Sequence, residues 1–180
     1  SALSFNLPGV KVIPGVYKLI VYKNNEEMQN FEIIIDWVNQ PLSLNKLDYA
    51  IDMLKYIATK TEIDSILSAD DKSAAFLSYW KAKDPTPNTP FNEAIQQYYS
   101  RVDYAFFNYK TISESDGANT DRGKVYILKA APQEVKEEYK DNRSLLIWEY
   151  LKLKKEYVFE LIGAGDYRLV EINEDRKSTV

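Results

Sequence analysis

The stretch from Trp80 to Gly123 constrains the fold more than any other part of the chain. Asp84-Pro85-Thr86-Pro87 cannot sit inside a helix, because a residue before proline is pushed out of the α region and proline has no amide to donate. A helix carrying Trp80 therefore stops there. Thr89-Pro90 predicts a fresh helix with proline at its first position, and Ile95, Tyr98, Val102, Ala105, Phe106 and Tyr109 recur at helical spacing to about Lys110. The segment Gly117-Ala118-Asn119-Thr120-Asp121-Arg122-Gly123 reads as a turn. Beyond Gly123 the apolar period shortens to two, so a helical part and a sheet part meet at this turn.

Upstream, residues 15–38 predict a β-hairpin. Tyr17, Leu19 and Val21 alternate on one strand, Lys23 to Gln29 turn through Asn24-Asn25, and Phe31, Ile33, Ile35 and Trp37 alternate on the return. The pattern Gly15-x-Tyr17-x-Leu19-x-Val21 resembles the penultimate strand of an immunoglobulin-like sandwich. The alternative is a hairpin packed on the helices that follow. Ser43 predicts the cap of a helix with Leu44, Leu47, Ala50, Ile51, Leu54, Ile57 and Ala58 inward. Thr61 and Asp64 suggest a short second helix. Asp70-Asp71 open a third that turns Ala74, Phe76, Leu77 and Trp80 toward a core.

Downstream, Lys124 to Lys129 reads as a strand and Pro132 as the start of a short acidic helical turn. Leu145 to Lys152 and Glu156 to Ile162 form a hairpin about Leu153 to Lys155. Gly163-Ala164-Gly165-Asp166 turns into a last strand, Tyr167 to Ile172, all antiparallel because the links are short. The fold class is therefore α+β: an N-terminal hairpin or sandwich remnant, a layer of three or four helices, and a C-terminal antiparallel sheet of about four strands on which the helix 89–110 lies. Residues 1–40 form the end of an N-terminal β part, 41–172 the α+β domain, and 173–180 a flexible tail.

Composition removes whole classes of function. The 180 residues include no histidine and no cysteine, which excludes Ser-His-Asp and Cys-His nucleophiles, thiol redox centres and zinc sites of the usual nitrogen and sulfur type. With 23 basic and 27 acidic residues the net charge is −4, and Lys152, Lys154 and Lys155 are too few for a nucleic-acid stripe. No apolar run is long enough to span a bilayer, and the first residues carry no secretory leader. No loop has the spacing of a calcium site, and no cofactor or metal is implied.

The residues Trp80-Lys81-x-Lys83-Asp84-Pro85-Thr86-Pro87-x-Thr89, Asn92-Glu93, Tyr98-Tyr99-x-Arg101-Val102-x-Tyr104-Ala105 and Thr120-Asp121-Arg122-Gly123-Lys124-Val125-Tyr126-Ile127 together resemble the GWxTD-domain family of bacterial proteins, found mainly in Bacteroidota. Ile147-Trp148-x-Tyr150, Phe159 and Gly165-Asp166-Tyr167-Arg168-Leu169-Val170 are similar to its C-terminal part, so the likeness covers roughly residues 40–172. It implies a periplasmic or cell-envelope protein but no activity. Two positions depart from the pattern: the signature tryptophan is Ala118, and a glycine expected further on is Ala130 or Ala131.

The candidate binding residues are Asp84, Asn92, Glu93, Arg101, Thr120, Asp121 and Arg122. Asp84, Glu93 and Asp121 could serve a carboxylate-based, glycosidase-like hydrolase, which needs no histidine. Each also has a structural reading: Asp84 as a turn former, Glu93 paired with Arg101 through a ladder with Gln97, and Thr120-Asp121 bonded into their own turn. Arg101 and Arg122 with Asn92 could receive a carboxylate or phosphate. Fourteen tyrosines and three tryptophans exceed what a core of this size needs, which favours a non-enzymatic module binding a protein or glycan around residues 84–93 and 117–123. An outer strand of the sheet could also accept a partner strand.

Overall fold

A computed structural model of the protein describes residues 15–35, 40–89 and 92–174. Strands β1 (Gly15–Lys23) and β2 (Glu26–Ile35) pair antiparallel. Their turn is tighter than the polar run suggests: Asn24 and Asn25, at φ 52° and 66°, close it alone, as a two-residue hairpin with its left-handed pair requires. Glu26 to Gln29 thus belong to the return strand. Val16 and Ile34 on one face, and Phe31 and Ile33 on the other, are exposed. Trp37, Pro90 and the tail beyond Glu174 lie outside the described residues.

The single helix expected from Ser43 to Ala58 is broken into a 3₁₀ turn (Leu42–Asn45), α1 (Leu47–Met53) and a second 3₁₀ turn (Leu54–Tyr56). Ser43 does not cap it with its side chain. Asp103, from a distant helix, instead accepts the amides of Leu42 at 2.5 Å and Ser43 at 2.9 Å. A cap supplied from sixty residues away cannot be read from local spacing. Ala50, Ile51 and Leu54 are buried as expected, Met53 is buried as well although the spacing had not placed it inward, and Ile57 is exposed.

Helix α2 (Lys60–Leu67) begins at a capping box two residues earlier than Thr61-Asp64. The Glu62 amide donates to Thr59 Oγ1, and the Thr59 amide donates back to the Glu62 carboxylate. Asp71 caps α3 (Lys72–Lys81). Only Phe76 and Trp80 of its expected inward set are buried, and Ala74 and Leu77 face out. Helix α4 (Glu93–Asn108) buries Ile95, Tyr98, Tyr99, Val102 and Ala105 along one side.

The strand expected over Lys124 to Lys129 is a helix, α5 (Asp121–Lys129). Its apolar residues alternate because the helix lies between two cores. Ile127 enters the cluster built by α1 to α4, while Val125 enters a second cluster on the sheet. Residues two apart point to nearly opposite sides of a helix. A helix buried on two sides therefore mimics the period of a strand.

The acidic helical turn expected after Pro132 is a strand as well: β3 (Glu134–Lys140) turns through Asp141-Asn142, at φ 51° and 62°, into β4 (Arg143–Tyr150). With β5 (Lys155–Gly163) and β6 (Asp166–Glu174) they form a four-stranded antiparallel sheet in the order β3-β4-β5-β6. The sheet packs against α5 through Val125 and Tyr126, and against Tyr109 just beyond α4. It is therefore α5, rather than α4, that lies on it.

Several tyrosines tie this frame together. The hydroxyls of Tyr98 and Tyr99 donate to Met53 O and Ala50 O, carbonyls near the end of α1, where a helix lacks internal partners. Tyr150 reaches Ala130 O at the end of α5.

Two glycines set the approach of α5. A Cβ on Gly123 would lie 1.9 Å from Gly117 O, and one on Gly117 would lie 2.2 Å from Ala105 O. Gly123→Ala must push α5 away from the turn, and chemical denaturation is expected to show a loss of about 2–4 kcal/mol.

Candidate functional site

The candidate residues fall into two groups, one at each end of α4. At its N-terminus, Asn92 accepts the amides of Ala94 and Ile95 with Oδ1, at 3.0 and 3.2 Å, and donates from Nδ2 to Trp80 O at 2.8 Å. One side chain thereby caps α4 and fastens it to the end of α3. Asp84 accepts the Thr86 amide at 2.8 Å, the expected turn-forming role. Thr86 Oγ1 donates to the Glu93 carboxylate and lies 3.1 Å from Thr89 Oγ1. Asp84 and Glu93 thus meet on Thr86, a motif residue that is not among the candidate binding residues. Glu93 does not pair with Arg101, whose guanidinium donates instead to Ile127 O at 3.4 Å. That carbonyl lies in the last turn of α5, where a cation suits the helix dipole.

The second group surrounds the start of α5. Thr120 caps it by accepting the Gly123 amide at 3.1 Å while donating to Gly117 O at 2.8 Å. Asp121 accepts the Leu169 amide at 2.7 Å and so pins α5 to β6. Arg122 is half-buried between two rings, with Cζ 4.2 Å from the Tyr167 centroid and 5.4 Å from that of Tyr109. Its Nη2 donates to Gly165 O at 3.4 Å and its Nε finds no acceptor. Burial lowers its proton affinity, opposed by the nearby Tyr167, Tyr109 and Asp166. The guanidinium stays charged regardless.

Ala118, at the place of the signature tryptophan, is fully buried. Its amide is held by Asp116 and its carbonyl accepts the Tyr56 hydroxyl. The position is a core position, not a surface contact.

Asp121 therefore stands apart from Asp84 and Glu93. Among the described residues no cluster of three or more acidic side chains is placed to hold a metal ion. What lies beside the first group is a cleft of about 590 Å³. Phe76, Trp80 and Ile95 form its floor, Leu44, Leu47, Leu77 and Pro87 its apolar walls, and Lys81, Asp84, Thr89 and Asn92 part of its rim. The sequence pattern had assigned Leu44, Leu47, Phe76 and Leu77 to the core. A wide apolar stripe does not distinguish a filled core from an open cleft.

Ser113 and Asp166, neither of them a candidate binding residue in the sequence, form a further pair. The Ser113 hydroxyl donates to Asp166 at 2.6 Å. That bond first, then Thr111 and the charge of Arg122, holds the Asp166 carboxyl below its ordinary 3.8. Because the folded-state value is depressed, this contribution is fully present above the ordinary value and is lost as pH falls through the lower folded one. A carboxyl NMR titration of Ser113→Ala is expected to move the Asp166 midpoint up toward 3.8.

Ala130 ends α5 at φ 66° and ψ −162°, a region that only glycine enters without strain. This explains the glycine expected at that place. Ala130→Gly is expected to stabilise the fold by about 1 kcal/mol in chemical denaturation, strain relief outweighing glycine's greater freedom when unfolded.

No helix among the described residues is long and apolar enough to cross a membrane. No curated protein matches the chain, and no solved structure does. The family model of the GWxTD domain matches residues 15–166, from the first strand of the hairpin to the first residue of β6. A match over that share of the chain makes this protein a member of the GWxTD domain family.

Proposed function

We propose that this protein is a non-catalytic interaction module of the cell envelope that seats an apolar side chain of a protein partner in the cleft between α1, α3 and the start of α4. The observation that carries this reading is the cleft itself: about 590 Å³ with an apolar floor and a polar rim, the usual composition of a recognition pocket. The motif residues beside it, Asp84, Asn92 and Glu93, are engaged by turn amides, a helix start and a threonine hydroxyl, so they shape the cleft instead of offering free reactive groups. The envelope location rests on the family resemblance alone. On the same reading, residues 41–172 form the binding domain.

A glycan partner would use another surface, where Tyr104 stacks on Tyr126 with ring centroids 4.4 Å apart and planes 16° from parallel. A hydrolase would have to work with Asp84 and Glu93, the two carboxylates that meet on Thr86.

The test is selection of a displayed peptide library on the intact protein and on Leu77→Glu, a substitution at a wall residue that is 58% exposed and so leaves the fold intact. Peptides with a large apolar anchor are expected to bind the parent protein and to lose roughly tenfold in affinity to the variant. Equal binding to both proteins, or no enrichment, removes the cleft as the site. Turnover of a nitrophenyl glycoside that Glu93→Gln abolishes would establish the hydrolase instead.

A further inference from the structure

The four-stranded sheet has two edges, and they are treated differently. At β6 the amide of Leu169 is taken by Asp121 from α5. At β3 all seven residues are exposed. Exposed edge strands invite pairing with other chains, and charged side chains are the common deterrent. The charges of β3 are arranged so that they deter every central register but one.

We propose that β3 is a self-recognition edge, through which two copies of this chain pair β3 to β3, antiparallel about Glu137, into one continuous sheet. In that register Glu134 faces the second copy's Lys140, Lys136 faces its Glu138, and Val135 faces its Tyr139; the two-fold axis repeats each contact. Directly opposite residues share a face. Glu134, Lys136, Glu138 and Lys140 lie on the outer face, and Val135, Glu137 and Tyr139 on the face that carries Leu146 and Trp148. All the opposite-charge pairs therefore fall on one face, and the exposed Val135 and Tyr139 come together on the other.

Neighbouring symmetric registers fail. Centring on Lys136 sets Lys136 against itself and Glu134 against Glu138, and centring on Glu138 sets Glu138 against itself and Lys136 against Lys140. Parallel in-register pairing sets every charge against its like. The favoured register has one unfavourable contact, Glu137 against Glu137, at the axis.

The two-residue turn at Asp141-Asn142 makes Lys140 and Arg143 the pair that exchanges bonds within the hairpin. By alternation, the amides of Val135, Glu137 and Tyr139 point away from β4, available to the second copy. Seven residues a side make a small interface, so the dimer is expected to dissociate at roughly tens to hundreds of micromolar.

The absence of cysteine from the chain makes register directly testable on the full protein. Single-cysteine variants Lys136→Cys, Glu137→Cys and Glu138→Cys are oxidised at high concentration. Glu137→Cys is expected to give the covalent dimer, because only the proposed register sets that residue opposite itself at a distance a disulfide spans. Preferential cross-linking of either neighbour, or of none of the three, overturns the proposal.

Sedimentation across concentration tests the charge code independently. Glu134→Lys and Lys140→Glu are each expected to weaken dimerisation about tenfold through two like-charge pairs, and the double variant to restore it. A protein that stays monomeric at millimolar concentration, or a double variant no better than the singles, equally overturns it. Circular dichroism of these surface variants confirms that the fold is retained.

Discussion

The contact between Gly117 and Gly123 is the constraint on which the rest of the domain depends. The Gly117 carbonyl sits where a Cβ of Gly123 would be, and the backbone around Ala105 to Lys110 sits where a Cβ of Gly117 would be. The end of α4, the turn and the first residues of α5 are therefore stacked at backbone distance. Thr120 bridges the same turn in both directions, accepting from Gly123 and donating to Gly117. Close approach of this kind leaves no space for adjustment. It fixes where α5 points, and α5 fixes where the sheet lies.

From that position α5 acts as the partition between two hydrophobic clusters. Ile127 completes the helical core around Tyr99, Trp80 and Met53, whereas Val125 completes the sheet core around Trp148 and Phe159. Tyr109 packs against both. Polar tethers then hold the partition: Asp121 to the Leu169 amide, Arg122 against Tyr167, and Arg101 to a carbonyl of the last turn. The density of polar residues in this segment has a mechanical explanation. These side chains terminate helices and occupy edge amides, which would otherwise be left without partners.

The same logic revises the reading of the tyrosines. Their number suggested a surface chemistry, yet Tyr98, Tyr99 and Tyr150 place their rings in cores and their hydroxyls on helix-end carbonyls. Tyrosine suits such places because a buried ring can keep its polar end satisfied. The recognition surface proposed above relies instead on leucines that the helical pattern had counted as core. Leu77 illustrates the difficulty: it has the spacing of an inward residue but lines an open cleft and is 58% exposed.

The sequence by itself determined what depends on short-range stereochemistry and on which atoms exist. The asparagine pair of the first hairpin, the proline stop after α3, the long helix with its aromatic stripe, the glycine turn before β6 and the exclusion of histidine and cysteine chemistry all belong there. So does family membership, because many separated motifs coincide. The tertiary structure alone decided the rest. Asp103 capping a turn sixty residues away, α5 presenting a strand's period because it is buried on two sides, and β3 forming from a charged segment beside β4 all depend on neighbours distant in sequence. It also decided that Asp84 and Glu93 meet at Thr86 while Asp121 goes to β6. Spacing along a chain reports which side of an element a residue occupies, but only the packing of elements decides what stands on that side.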